Sequence, residues 1–64
     1  MRRNNNRTTL GEFLENVNSN RRQYGDMFMN FIGEQRTRMT IHFSEQPTIF
    51  FFMWDRRNRR WYLV

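Results

Sequence analysis

The first half of the chain carries apolar residues at helical spacing. Thr9-Leu10-Gly11-Glu12 has the form of a capping box, in which the threonine hydroxyl caps an early backbone amide and Glu12 reaches back. Behind it runs one apolar stripe, and Gly33 is a natural stop after it. The stripe comprises Leu10, Phe13, Leu14, Val17, Tyr24, Met27, Phe28, Phe31 and Ile32. The pattern predicts helical structure between residues 10 and 32.

Poor helix formers interrupt this stripe. Asn16, residues 18–20 and the pair Gly25-Asp26 all disfavour a helix interior. A single helix over residues 10–32 would be about 35 Å long, whereas a six-residue strand beneath it would span only about 20 Å. We therefore expect a break near residues 18–20 or at Gly25, which gives two short helices. One unbroken helix is the alternative.

The second half of the chain is β in character. Residues 37–43, 48–54 and 59–64 are rich in β-branched and aromatic side chains. Short polar segments at 44–47 and 56–58 connect them, which implies an antiparallel meander. The predicted fold class is α+β, with one or two N-terminal helices packed on a three-stranded antiparallel sheet. Residues 9–64 form this single domain, and residues 1–8 precede it as a basic, disordered arm.

Loop lengths decide which strand side chains share a face of the sheet. A four-residue loop at 44–47 and a turn centred on residues 57–58 place one apolar set towards the helices. That set is Met39, Ile41, Phe43, Phe50, Phe52, Trp54, Trp61 and Leu63. The opposite face carries an apolar group surrounded by Arg38, Thr40, His42 and Arg60. This group is the candidate dimer or partner face: Ile49, Phe51, Met53, Tyr62 and Val64. Because a solvent-facing sheet surface is normally polar, we expect a second copy or a ligand to cover it.

Composition and charge narrow the classes of function. The chain has 64 residues, a net charge of +5, eleven basic residues that are all arginine, and no cysteine. A domain this small usually needs a stabilising partner, so a homo-oligomer is expected. No apolar run approaches the roughly 20 residues needed to cross a membrane, and no secretory signal is visible. We expect no membrane partner, no metal, no cofactor, and a location in the cytoplasm or nucleus.

Four arginines crowd the predicted hairpin between the last two strands. Arg56, Arg57, Arg59 and Arg60 are flanked by tryptophans and Tyr62. This arrangement is typical of a β-ribbon that contacts phosphates while rings stack on bases. The alternative is a solvated turn whose charges prevent edge-to-edge strand pairing.

The arm adds Arg2, Arg3 and Arg7. In composition it resembles the arginine-rich arms of viral coat and RNA-binding proteins, which implies neutralisation of phosphates and ordering on binding. A solubilising tail is the alternative.

Candidate catalytic groups are isolated. His42 is the single histidine, and Asp55 is expected to pair with Arg60 across the strands. We therefore predict a non-catalytic nucleic-acid-binding protein, with RNA or another single strand favoured. The predicted contact residues are Arg2, Arg3, Arg7, Arg38, Phe51, Arg56, Arg57, Arg59, Arg60 and Tyr62. The alternative is a small viral, phage or accessory protein-interaction module that binds an acidic protein surface or self-assembles.

Overall fold

A computed structural model describes residues 7–34 and 36–64 of the protein. The described chain contains two short helices near its start. Helix α1 spans Leu10–Ser19 and helix α2 spans Arg21–Tyr24. The capping box is confirmed: the Glu12 amide donates to Thr9 Oγ1 at 3.2 Å, and the Thr9 amide donates to Glu12 Oε1 at 3.0 Å. Asn20, with φ −124° and ψ 37°, leaves the helical region and separates the two helices. The predicted break is therefore confirmed, and the unbroken helix is wrong.

The segment Met27–Ile32 is a strand, β1, and its assignment to a helix is wrong. Its sequence MFMNFI is almost continuously apolar, and such a short run fits a helical and an extended pattern equally well. Gly25 decides the outcome, because its φ of 72° turns the chain where it passes close to Ser44 and Glu45. The residues after it consequently lie beside the next strand.

Within the described residues the sheet has four strands in place of the predicted three. Strands β2 (Arg38–Phe43), β3 (Ile49–Asp55) and β4 (Arg60–Leu63) follow β1, and the antiparallel order is β1-β2-β3-β4. The register predicted for the last three strands is confirmed. It pairs Met39 with Phe52, Ile41 with Phe50, Phe52 with Leu63 and Trp54 with Trp61.

The core lies between α1 and one face of the sheet. The Phe13 ring is 6.1, 4.8 and 5.1 Å, centre to centre, from the rings of Phe43, Phe50 and Phe52. All eight residues predicted to face the helices are buried or half-buried. Helix α1 contacts β4, so its cover lies towards that side of the sheet.

Residues 8 and 9 run beside the outer edge of β4. The Leu63 amide donates to the Thr8 carbonyl at 2.8 Å, and Thr9 forms a bridge with Tyr62. Arg7 and Thr8, which the sequence assigned to the arm, therefore belong to the folded unit. Neither helix in the described part of the chain is long enough and apolar enough to span a bilayer.

Candidate nucleic-acid interface

The sheet face that α1 does not cover, here called the open face, is built from alternate residues of all four strands. They are Phe28, Asn30, Ile32, Arg38, Thr40, His42, Ile49, Phe51, Met53, Asp55, Arg60 and Tyr62. Two of its aromatic rings are strongly exposed, Phe28 at 58% and Phe51 at 52%. Ile49, Met53 and Val64, from the predicted partner face, are exposed as well. The face is thus an open apolar surface with a polar surround.

Phe28 was not among the predicted contact residues. Its exposure follows from β1 being a strand, which places it opposite His42 on the open face. The adjacent apolar residues of MFMNFI concealed this signal, because a helix would have buried Phe28 against the core. If the segment is assigned to an edge strand, its side chains alternate between the two faces of the sheet, and Phe28 then lies on the face opposite to Met27 and Met29.

At one end of the open face, Asp55 organises the turn to β4. Its Oδ1 accepts hydrogen bonds from the amides of Arg57 at 3.0 Å and Asn58 at 3.3 Å, and its Oδ2 accepts one from Asn58 Nδ2 at 3.0 Å. Desolvation raises the pKa of this carboxyl, but the hydrogen bonds from Asn58 and Arg57 and the nearby Arg7 charge outweigh it. The net pKa of Asp55 therefore lies below its ordinary value.

The ion pair of Asp55 differs from the predicted one. Arg60 lies opposite Asp55 in the register, yet the carboxylate forms an ion pair with Arg7, whose Nη1 is 3.7 Å from Oδ2. The Asp55 side chain is already engaged by its own turn, which leaves the Arg60 side chain exposed. The predicted cross-strand position of Arg60 opposite Asp55 is thus confirmed, but the ion pair of Asp55 is with Arg7, and Arg60 faces solvent.

Tyr62 is buried, with 6% of its surface exposed. The guanidinium carbon of Arg7 lies 3.8 Å from the centre of its ring. Arg7 therefore covers the ring that the sequence assigned to base stacking, and Tyr62 does not offer an open platform. Sequence reasoning missed this cover, because it assigned residue 7 to the arm.

The remaining predicted arginines gather at this same end. Arg38 lies on the open face opposite Met53, and Arg60 lies on it opposite Asp55. The exposed turn residues Arg56, Arg57 and Arg59 join them, whereas Arg2 and Arg3 lie outside the described residues. Arg59 has a φ of 54°, a left-handed conformation that non-glycine residues seldom adopt.

A shallow recess of about 340 Å³ lies beside Arg38. Arg38, Phe51 and Met53 line it on the open face, together with Ile32 and Val64. A flat ring bound in this recess would contact both the Phe51 ring and the Arg38 guanidinium.

The described residues do not form a metal site. Among residues 7–34 and 36–64, no three histidine or carboxylate side chains come together as a metal site.

Comparison of the chain with protein families, curated protein sequences and solved structures finds no significant match in any of the three.

Proposed function

We propose that this protein is a non-catalytic binding module for single-stranded nucleic acid, RNA above all, and that it binds on the open face. The observation that carries this proposal is the exposed Phe51 ring beside Arg38 in the recess, on the same sheet face as Arg60. An aromatic platform next to backbone-tracking positive charge is the combination that single-strand binders use.

The electrostatics of the face support an anionic ligand. Among the strand residues of the open face, Asp55 is the only acid. Its charge is engaged by Arg7 and by the amides of its own turn. The exposed arginines at that end are therefore not neutralised by it, and they add to the net charge of +5. Phosphate groups would release counterions on meeting this surface.

The shape of the face suits unpaired bases. In a duplex the faces of the bases are stacked on one another, so an exposed ring gains nothing by stacking. Phe28 and Phe51 lie two strands and one row apart, which places their Cα atoms about 12 Å from each other. A strand crossing the sheet can place separate bases on the two rings while the turn arginines hold the backbone.

Binding to a panel of probes tests the proposal. The panel contains single-stranded RNA, single-stranded DNA, the matching duplexes and polyglutamate, which stands for an acidic protein surface. We expect single-stranded RNA to bind most tightly. Tightest binding of polyglutamate would instead support the protein-interaction alternative.

A matched pair of variants assigns the binding to the ring. Phe51→Leu keeps an apolar side chain but removes the π face, and it should weaken RNA binding about tenfold, since stacking is worth about 1–3 kcal/mol per base. Ile49→Leu, on the same strand face but outside the recess, is the control and should leave the affinity unchanged. Equal effects of the two substitutions would remove Phe51 from the binding site.

A further inference from the structure

Strand β1 has an uncovered outer edge. The other edge of the sheet, at β4, is occupied by residues 8 and 9, but within residues 7–34 and 36–64 no segment pairs with the outer side of β1. All five apolar side chains of β1 are at least 40% exposed. The strand contains no proline and no charged residue, the usual devices that keep an edge from pairing with another chain.

Two contacts identify the backbone groups that point outward. The Ser44 amide donates to the Asp26 carbonyl at 2.9 Å, and Thr40 Oγ1 reaches the Asn30 carbonyl at 3.4 Å. Even-numbered residues of β1 therefore direct their amides and carbonyls towards β2. Since these directions alternate along a strand, Met27, Met29 and Phe31 direct theirs to the free edge.

We propose that a second copy of this chain pairs with that edge, β1 against β1 in antiparallel orientation, about a twofold axis at Met29. The three outward residues are spaced symmetrically about Met29, so Met27 of one copy meets Phe31 of the other and Met29 meets Met29. This register satisfies every outward group of both strands with about six hydrogen bonds.

The side chains fit the same arrangement. Met27, Met29 and Phe31 project on the helix face, where the cover provided by α1 lies towards β4 and leaves a groove of about 650 Å³ beside β1. Leu14 and Tyr24 are among the residues that line the groove. In the paired sheet, Phe31 of the second copy lies next to Met27 at the mouth of this groove.

The buried area sets the expected strength. The three apolar side chains of β1 on the helix face are about half exposed, and at about 200 Å² for a large side chain they offer roughly 300 Å² per copy. With the backbone of the paired edges, the two copies bury less than about 1,000 Å², which is the size class of weak, transient interfaces. We expect a dimer with a dissociation constant in the micromolar range.

The arrangement also bears on the open face. The twofold axis runs perpendicular to the sheet, so both open faces lie on the same side of one eight-stranded sheet. Strand spacing places the two Phe51 residues about 25 Å apart. The dimer does not depend on nucleic-acid binding, and either proposal can fail without the other.

Charge complementation at the axis tests the pairing. Sedimentation velocity from 1 to 100 µM should show wild-type protein passing from 8.1 kDa to twice that mass. Met29→Lys and Met29→Glu each place like charges opposite one another, so each alone should weaken association at least tenfold. Mixing the two variants should restore it. Ile49→Lys, on the open face, is the control and should associate like wild type.

A second variant tests the backbone part directly. Met29→Pro removes an outward amide but no hydrogen bond to β2, so the variant should keep the circular dichroism spectrum of a folded protein and remain monomeric. A wild-type monomer at 100 µM would overturn the proposal. So would unimpaired dimerisation of Met29→Lys, or loss of association in Ile49→Lys alone.

Discussion

The guanidinium of Arg7 stacks on the ring of Tyr62, 3.8 Å from its centre, and the same group reaches Asp55 Oδ2 at 3.7 Å. A residue before the first helix thereby joins the last strand to the turn that precedes it. The contact covers one aromatic ring of the open face and engages its only strand acid, so Phe28 and Phe51 remain as the exposed rings of that face.

Arg7→Ala should lower the free energy of unfolding by about 1 kcal/mol, because it removes a cation–π contact and an ion pair that are partly screened by solvent. Urea denaturation measures this. Arg22→Ala, which removes an exposed arginine from α2, is the charge-matched control and should change stability by less than about 0.5 kcal/mol. Equal effects would mean that Arg7 adds nothing by its position.

The lowered pKa of Asp55 predicts a dependence of stability on pH. Because the folded-state pKa lies below the ordinary 3.8, the ionised carboxylate stabilises the fold above that value. This contribution is lost as the pH falls through the lowered pKa. Asp55→Asn should therefore melt below wild type at pH 6, and the gap in Tm should narrow below pH 3.8. With Glu34→Gln as the control for a lost charge, a gap that stays constant down to pH 2 would contradict this.

The left-handed backbone of Arg59 allows the effect of backbone strain on stability to be measured apart from the effect of the lost charge. Arg59→Gly should raise the free energy of unfolding by about 1 kcal/mol, because glycine adopts a positive φ without steric cost. Arg56→Gly removes the same charge at a turn position without a positive φ and should destabilise the protein. Both variants should bind RNA more weakly than wild type. Chemical denaturation and RNA titration of the pair measure the two effects, and a destabilised Arg59→Gly would contradict the expectation.

Adjacent phenylalanines on β3 test the assignment of faces. Phe52 is 1% exposed against the helix side, whereas Phe51 is 52% exposed on the open face. Phe52→Ala should cost about 3–5 kcal/mol or unfold the domain outright, while Phe51→Ala should cost less than about 1 kcal/mol. Thermal melts compare them, and the reverse order would place the helices on the other face.

The sequence predicted β2 to β4, their register and the helix-facing core, because polar loops of defined length fix the parity of alternating side chains. The capping box at Thr9 and Glu12 was also predicted correctly, since both partners lie within one helical turn of each other. Segment 27–32 was not predicted as a strand, because six nearly continuous apolar residues carry no period, and their pairing with β2 is a long-range contact that local pattern does not encode.

Alternation along the strands predicted the face that carries Phe51 and the arginines, but it did not predict Phe28 or the cover over Tyr62. Arg38, Arg56 and Arg60 reach the open face or its turn as alternation requires. The cover of Tyr62 depends on where Arg7 packs after folding, a long-range contact that local pattern does not encode. Phe28 was not predicted as an exposed residue, because the segment that forms β1 was assigned to a helix.

The salt dependence of RNA affinity decides whether the arginine turn binds the nucleic-acid backbone. The variants Arg56→Gln/Arg57→Gln and Arg21→Gln/Arg22→Gln each remove two charges from the net +5, the first pair from the turn and the second from α2, beside α1 and away from the open face. For a single strand each lost phosphate contact lowers the slope of log affinity against log salt by about 0.7. We expect the turn variant to flatten the slope by about 1 to 1.5 and the α2 variant to leave it at the wild-type value. An unaltered slope in the turn variant, or an equal change in both, would contradict binding of nucleic acid by the arginine turn.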